Sequence, residues 1–138
     1  MKRPILAFLF VAAALMSIER AQAQLIIANP DVKASEASKA DIKDVFTGGS
    51  STLSGSHVTP VLLKSGAASD EFLAAYIGKS EAAFMASWRS LVFSGQATMP
   101  KSLDSDAAVV EYVAHTPGAI GYIGKASPHE GVKVLAGK

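Results

Sequence analysis

Thr116-Pro117-Gly118-Ala119-Ile120-Gly121-Tyr122-Ile123 ends one helix and starts a strand, and the fold follows from that reversal. Upstream, in the run Asp104 to His115, Val109, Val110, Val113 and Ala114 recur at helical spacing, with Asp104, Ser105 and Asp106 available as cap and first-turn acids, so a helix occupies this run and stops near His115. Pro117 removes a backbone donor and biases Thr116 away from the helical region, and Gly118 permits a positive φ. Ala119 to Ile123 then reads as a buried strand in which two small residues allow another backbone or helix to come close.

Working outward, Leu25-Ile26-Ile27-Ala28 is an apolar run closed by Asn29-Pro30, the pattern of a buried first strand. Ser38-Lys39-Ala40-Asp41 has the form of a capping box, and Ile42, Val45 and Phe46 follow on one face before Gly48-Gly49. Residues 48–56 form a small-residue loop. Val58 to Leu63 is the second strand, where Pro60 suggests an edge position or a bulge. Ser69, Asp70 and Glu71 open a helix with Phe72, Leu73, Tyr76 and Ile77 facing the core, and Gly78 stops it. Ser80 opens the next, whose stripe is Phe84, Trp88, Leu91 and Val92; a last strand is expected at Val132 to Leu135. Strands alternating with helices predict an α/β layer fold with a mixed or mostly parallel sheet.

The N-terminus has the pattern of a secretory signal peptide. Met1-Lys2-Arg3 is basic, Ile5 to Met16 is a dozen apolar residues, and Ala21-Gln22-Ala23 supplies a small-residue cleavage site. A membrane-spanning helix needs about 20 apolar residues, so insertion of the mature chain is not expected. Residues 1–23 are therefore assigned to the signal and 24–138 to one domain, of a size for one modest core. Of 13 Lys and Arg against 12 Asp and Glu, Lys2, Arg3, Glu19 and Arg20 leave with the signal, so the mature chain is close to neutral. Without a basic patch there is no footprint for nucleic acid or anionic lipid. The absence of cysteine removes thiol chemistry and suits a periplasm better than a disulfide-stapled scaffold.

Several blocks together resemble the substrate-binding components of phosphate-type ABC transporters. They are Asp41 to Gly48, Gly55 with Val58 to Val61, Trp88 to Gly95, Met99-Pro100, and Val113-Ala114 with Pro117 to Tyr122. The resemblance spans about Leu25 to Ile123. It implies a single lobe of a periplasmic-binding-protein-like fold, a periplasmic location, a non-catalytic role in binding phosphate or another oxyanion, and an ABC permease or other periplasmic or inner-membrane protein as partner. No cofactor is implied.

The loop Lys64-Ser65-Gly66-Ala67-Ala68-Ser69 leads from a strand into a helix, where main-chain amides and the helix dipole attract an oxyanion. In the family the matching loop is a glycine-serine-glycine-threonine segment followed by a basic residue. Ser65, Gly66 and Ser69 keep part of that character; Ala67 and Ala68 do not, and the basic residue is missing. The alternative is that Ser69 only caps the helix, with Asp70 and Glu71 complementing its dipole. Gly48 and Ser50, in the hydroxyl-rich loop 47–52, are further ligand candidates, although the tryptophan that the family carries there is absent.

Other chemistry finds no motif. Gly78-Lys79-Ser80 lacks the earlier glycine of a P-loop, since Leu73 stands there. His57, His115 and His129 are too scattered for a local metal site, and no Gly-x-Ser-x-Gly elbow occurs, so neither metal nor catalysis is expected. Trp88 reads as a core residue, and the Tyr122 hydroxyl needs a partner if it is buried. Because one lobe supplies half of a cleft, a second function stays open beside ligand capture: an interaction or adaptor module that acts through a protein partner or as a homodimer.

Overall fold

Leu25 and Ile27 point to one side of the first strand, β1 (Gln24–Ala28), and Ile26 and Ala28 to the other, and both sides are covered. That is why its sequence is continuously apolar rather than alternating. The computed structural model describes residues 24–64 and 66–137. The signal assigned to residues 1–23 lies outside them, as does Ser65.

Along the chain β1 is followed by α1 (Lys39–Phe46), a short hairpin of β2 (Thr52–Leu53) and β3 (Ser56–His57), β4 (Thr59–Leu63), α2 (Ala67–Phe72), α3 (Glu81–Phe93), β5 (Lys101–Leu103), α4 (Asp106–His115), β6 (Ala119–Gly124) and β7 (Lys133–Ala136). A π-helical turn, Leu73–Ile77, continues α2 and ends at Gly78, whose φ of 77° closes it. The main sheet has the order β5-β4-β6-β1-β7. β4, β5 and β6 run parallel, β1 is antiparallel to β6 and to β7, and so four of five strands share one direction.

One face of the sheet carries Ile26, Leu62, Ile120 and Tyr122 against Ile42, Phe46, Phe72, Phe84 and Trp88 from α1, α2 and α3. The other packs Leu25, Ile27, Val61 and Ile123 against Val109 and Val113 of α4. The corner at Pro117 is as expected. Gly118 has φ 80°, and a Cβ there would stand 3.0 Å from the His57 carbonyl. Asn29, beyond its role in closing β1, donates to the carbonyls of Val113 (2.8 Å) and Ala114 (3.2 Å) and so ties off α4.

Three expectations need correction. β4 is an interior strand, not an edge; Pro60 is tolerated because Thr59 donates toward β6, so the Pro60 nitrogen faces β5, whose ladder begins only at Val61. Ser69 does not cap α2: Gly66 does, in a conformation (φ 156°, ψ −179°) from which the helix-forming pair Ala67-Ala68 starts it three residues earlier. Val92 is not in the core; it lies on the open side of α3, next to Phe93, which is 95% exposed. α4 is as expected: of the three candidates Ser105 is the N-cap, Asp106 is the first helical residue and His115 the last. β5 and the β2–β3 hairpin carry no periodicity that a sequence reading could find, being two or three residues long.

Candidate functional site

β4 and β6 pair only at Thr59↔Ala119 and Pro60↔Ile120, and beyond that they separate. The Tyr122 hydroxyl fills the gap. It accepts from the Leu63 N–H (3.1 Å), donates to the Leu63 carbonyl (3.3 Å) and meets the Ser69 hydroxyl (3.2 Å). Its ring is stacked on Phe72 with centroids 3.8 Å apart, and Phe46 approaches edge-on at 5.9 Å. Burial raises the Tyr122 pKa above the ordinary tyrosine value, the bonds from Ser69 and Leu63 oppose that, and the charge of Glu81 adds to it. This arrangement fixes the carboxyl end of β4, from which the loop to α2 departs.

At that end lies a cavity of about 420 Å³ lined by Leu63, Lys64, Ser69, Glu81, Ser102 and Tyr122, with Leu73, Phe84 and Met85 forming an apolar wall. Lys64 reaches Asp104 at 2.9 Å, and both side chains are largely exposed, so the pair contributes little to stability. Lys64, Glu81 and Ser102 were not among the sequence candidates; only the parallel pairing of β4 with β5 brings Ser102 to this wall.

The start of α2 differs from the other helix starts. Ser38 accepts from the Asp41 N–H, Ser80 from Ala83 and Ser105 from Ala108, at 3.1 to 3.2 Å. The expected capping box is complete at Ser38, since Asp41 accepts from its N–H in return. Gly66 has no side chain, and among the described residues no side-chain hydrogen bond caps α2. The first intrahelical bond there is from Asp70 to the Gly66 carbonyl. Gly66 and Ala67 are exposed, whereas Ser69 is buried beneath them with its hydroxyl held by Tyr122.

Gly48 and Ser50 are elsewhere. They line a second cavity, of about 480 Å³, with His57, Thr59 and Pro60 at the amino end of β4, so the length of that strand separates them from Gly66 and Ser69. Gly48 packs on Trp88 and Leu91, and a Cβ there would collide with Leu91. The Ser50 hydroxyl is bonded to its own loop, to the carbonyl and N–H of Thr52. Ser69 thus lines the cavity at the carboxyl end of β4, Gly66 starts the same helix outside that lining, and Gly48 and Ser50 belong to the other cavity. Among the described residues no group of three or more His, Cys, Asp or Glu is placed to hold a metal, and no helix is long and apolar enough to cross a membrane.

No protein-family model matches the chain, and no curated protein does. Solved structures do. A phosphate ABC transporter substrate-binding protein from Clostridium perfringens, solved with bound phosphate, superposes with a TM-score of 0.63 at 17% identity, over 82% of this chain and 44% of its own. PstS from Borrelia burgdorferi gives 0.53 at 18% identity, over 83% and 46%. An ABC-type phosphate transport receptor from Vibrio cholerae gives 0.54 at 14%, over 82% and 45%. The chain spans under half the length of each. The fold is a single-lobe, periplasmic-binding-protein-like α/β fold.

Proposed function

We propose that this chain is an exported, periplasmic, non-catalytic binding lobe that takes phosphate or a related oxyanion on the main-chain amides opening α2. The observation that carries this reading is that, among the described residues, α2 alone of the α-helices opens on a residue with no capping side chain, at the carboxyl end of β4, where Lys64 and Ser69 line an open cavity. Main-chain N–H groups and the helix dipole are sufficient to attract an anion there. The shared fold with a protein solved with bound phosphate supports the same ligand class.

Affinity is expected to be low. Ser69 spends its hydroxyl on Tyr122, Asp104 neutralises Lys64, Asp70 adds negative charge in the first turn, and one lobe leaves the anion in contact with water. A Kd of roughly 1 mM fits such a site. Ala67→Pro tests it: proline is tolerated at the first helical position but removes the amide, and Gly66, with ψ −179° and no Cβ to meet the ring, is not in the helical region that a following proline disfavours. Phosphate should shift the Ala67 and Ala68 amide resonances of the wild type, and A67P should lose binding while melting at the same temperature or higher. No shift at tens of millimolar phosphate sinks the reading.

A second reading, a lobe that acts through a protein partner or a second copy, is favoured by one surface. Val92, Phe93 and Met99 are exposed together around a shallow cavity of about 500 Å³ that Arg89 also lines.

A further inference from the structure

The burial of Gln24 is unusual for the first residue of a domain that is expected to follow a cleaved leader. It is 2% exposed, pairs with Gly124 across β6, and Gly137 lies against its carbonyl so closely that no side chain would fit there. Its carboxamide Nε2 donates to the Glu71 carboxylate at 2.9 Å. The opposite amide orientation would set two oxygens against each other, so the buried Oε1, which accepts no hydrogen bond, must be the atom turned away from Glu71. A cut beyond Gln24 would shorten an interior strand that has β6 on one side and β7 on the other.

We propose that the exported chain begins at Gln24 and that Glu71 protects this residue from closing on itself. A free N-terminal glutamine is reactive: its α-amine attacks the side-chain Cδ, a new C–N bond closes a lactam, the Cδ–Nε2 bond breaks, and the amine proton leaves with Nε2 as ammonia. The product is pyroglutamate. That attack needs the side chain curled back over its own nitrogen. Here the carboxamide is held by a residue 47 positions away, on α2, and packed out of water. Strand pairing and the Glu71 bond both oppose the curled conformer, so the fold preserves a charged amine at its N-terminus.

This rests on the export part of the reading above and is independent of anion binding. The test is to express the full chain in a bacterium with a periplasm, recover the exported protein, and measure its intact mass and N-terminal peptide during warm incubation at neutral pH. The expected protein starts at Gln24, and loses ammonia at least tenfold more slowly when folded than when held unfolded in guanidine. Glu71→Ala, at an exposed helix position, should cyclise severalfold faster than wild type, and Glu71→Gln, which can still accept from Nε2, should stay near it. An unprocessed chain overturns the export reading and the assigned start together, and a processed chain that starts at another residue overturns the assigned start and with it the protection. A chain that starts at Gln24 but cyclises equally fast folded and unfolded overturns the protection alone, and an E71A rate equal to wild type removes Glu71 from it.

Discussion

Tyr122 concentrates three demands on one side chain: a buried ring between Phe72 and Phe46, a hydroxyl that replaces the missing ladder between β4 and β6, and a hold on Ser69. Tyr122→Phe keeps the ring and leaves the Leu63 N–H and the Ser69 hydroxyl short of a partner, which should cost about 1–3 kcal/mol in urea unfolding. The same residue predicts an alkaline limit. Its folded pKa is raised by burial, so the folded state holds the phenolic proton more tightly than the unfolded chain does. The resulting stability is complete below the unfolded value of about 10 and falls as pH rises from there through the folded pKa. Unfolding free energy followed from pH 8 to 11 should decline at the top of that range, and less steeply in Y122F; equal slopes would contradict it. A sequence shows that a buried tyrosine needs a partner, as it shows that Trp88 belongs to the core. It does not show that the partner is the backbone of Leu63, 59 residues away, or that Trp88 donates to the Phe46 carbonyl at 2.9 Å, because both pairings exist only once the sheet has formed.

Gly121 decides how closely α4 can lie on the sheet. A Cβ there would stand 2.9 Å from one Val109 methyl and 3.4 Å from one of Val113, with the Val61 carbonyl at 3.7 Å. Gly121→Ala should therefore destabilise by about 1–3 kcal/mol, as overpacking does. Combining it with Val109→Ala should recover part of that loss, so the two changes would be non-additive in a double-mutant cycle; strict additivity would mean that the helix does not press on this strand. The close approach was legible from two small residues in an apolar run, as were β1, β6, the Ser38 capping box and the Ser80 cap, because each depends on neighbours within a few residues. The start of α2 was not legible. A serine followed by two acids has the pattern of a cap, but the Tyr122 hydroxyl draws Ser69 inward and the helix starts at Ala67. That same shift commits the Ser69 hydroxyl to Tyr122 and leaves the main-chain amides of Ala67 and Ala68 at the open start of the helix.

For the molecule as a whole the question is what the exposed end of α3 is for. Phe93 buries almost none of its ring, so replacing it should leave folding stability within about 0.5 kcal/mol. With Val92 and Met99 beside it and Arg89 at the rim, it forms the one group of large exposed apolar side chains among the described residues. Such a group is costly to leave in water and is a usual mark of association. The candidate anion site is near the start of α3, where Phe84 and Met85 line its wall, and Phe93 is the last residue of that helix, about 12 Å along the axis from Met85. Binding an anion and meeting a partner are therefore separable. Phe93→Glu should keep the melting temperature and any phosphate-induced shift of the Ala67 amide, while lowering the concentration-dependent mass seen by sedimentation if copies of this lobe meet through α3. A wild-type protein that sediments as a monomer at all concentrations would remove self-association and leave a different protein as the occupant of that surface.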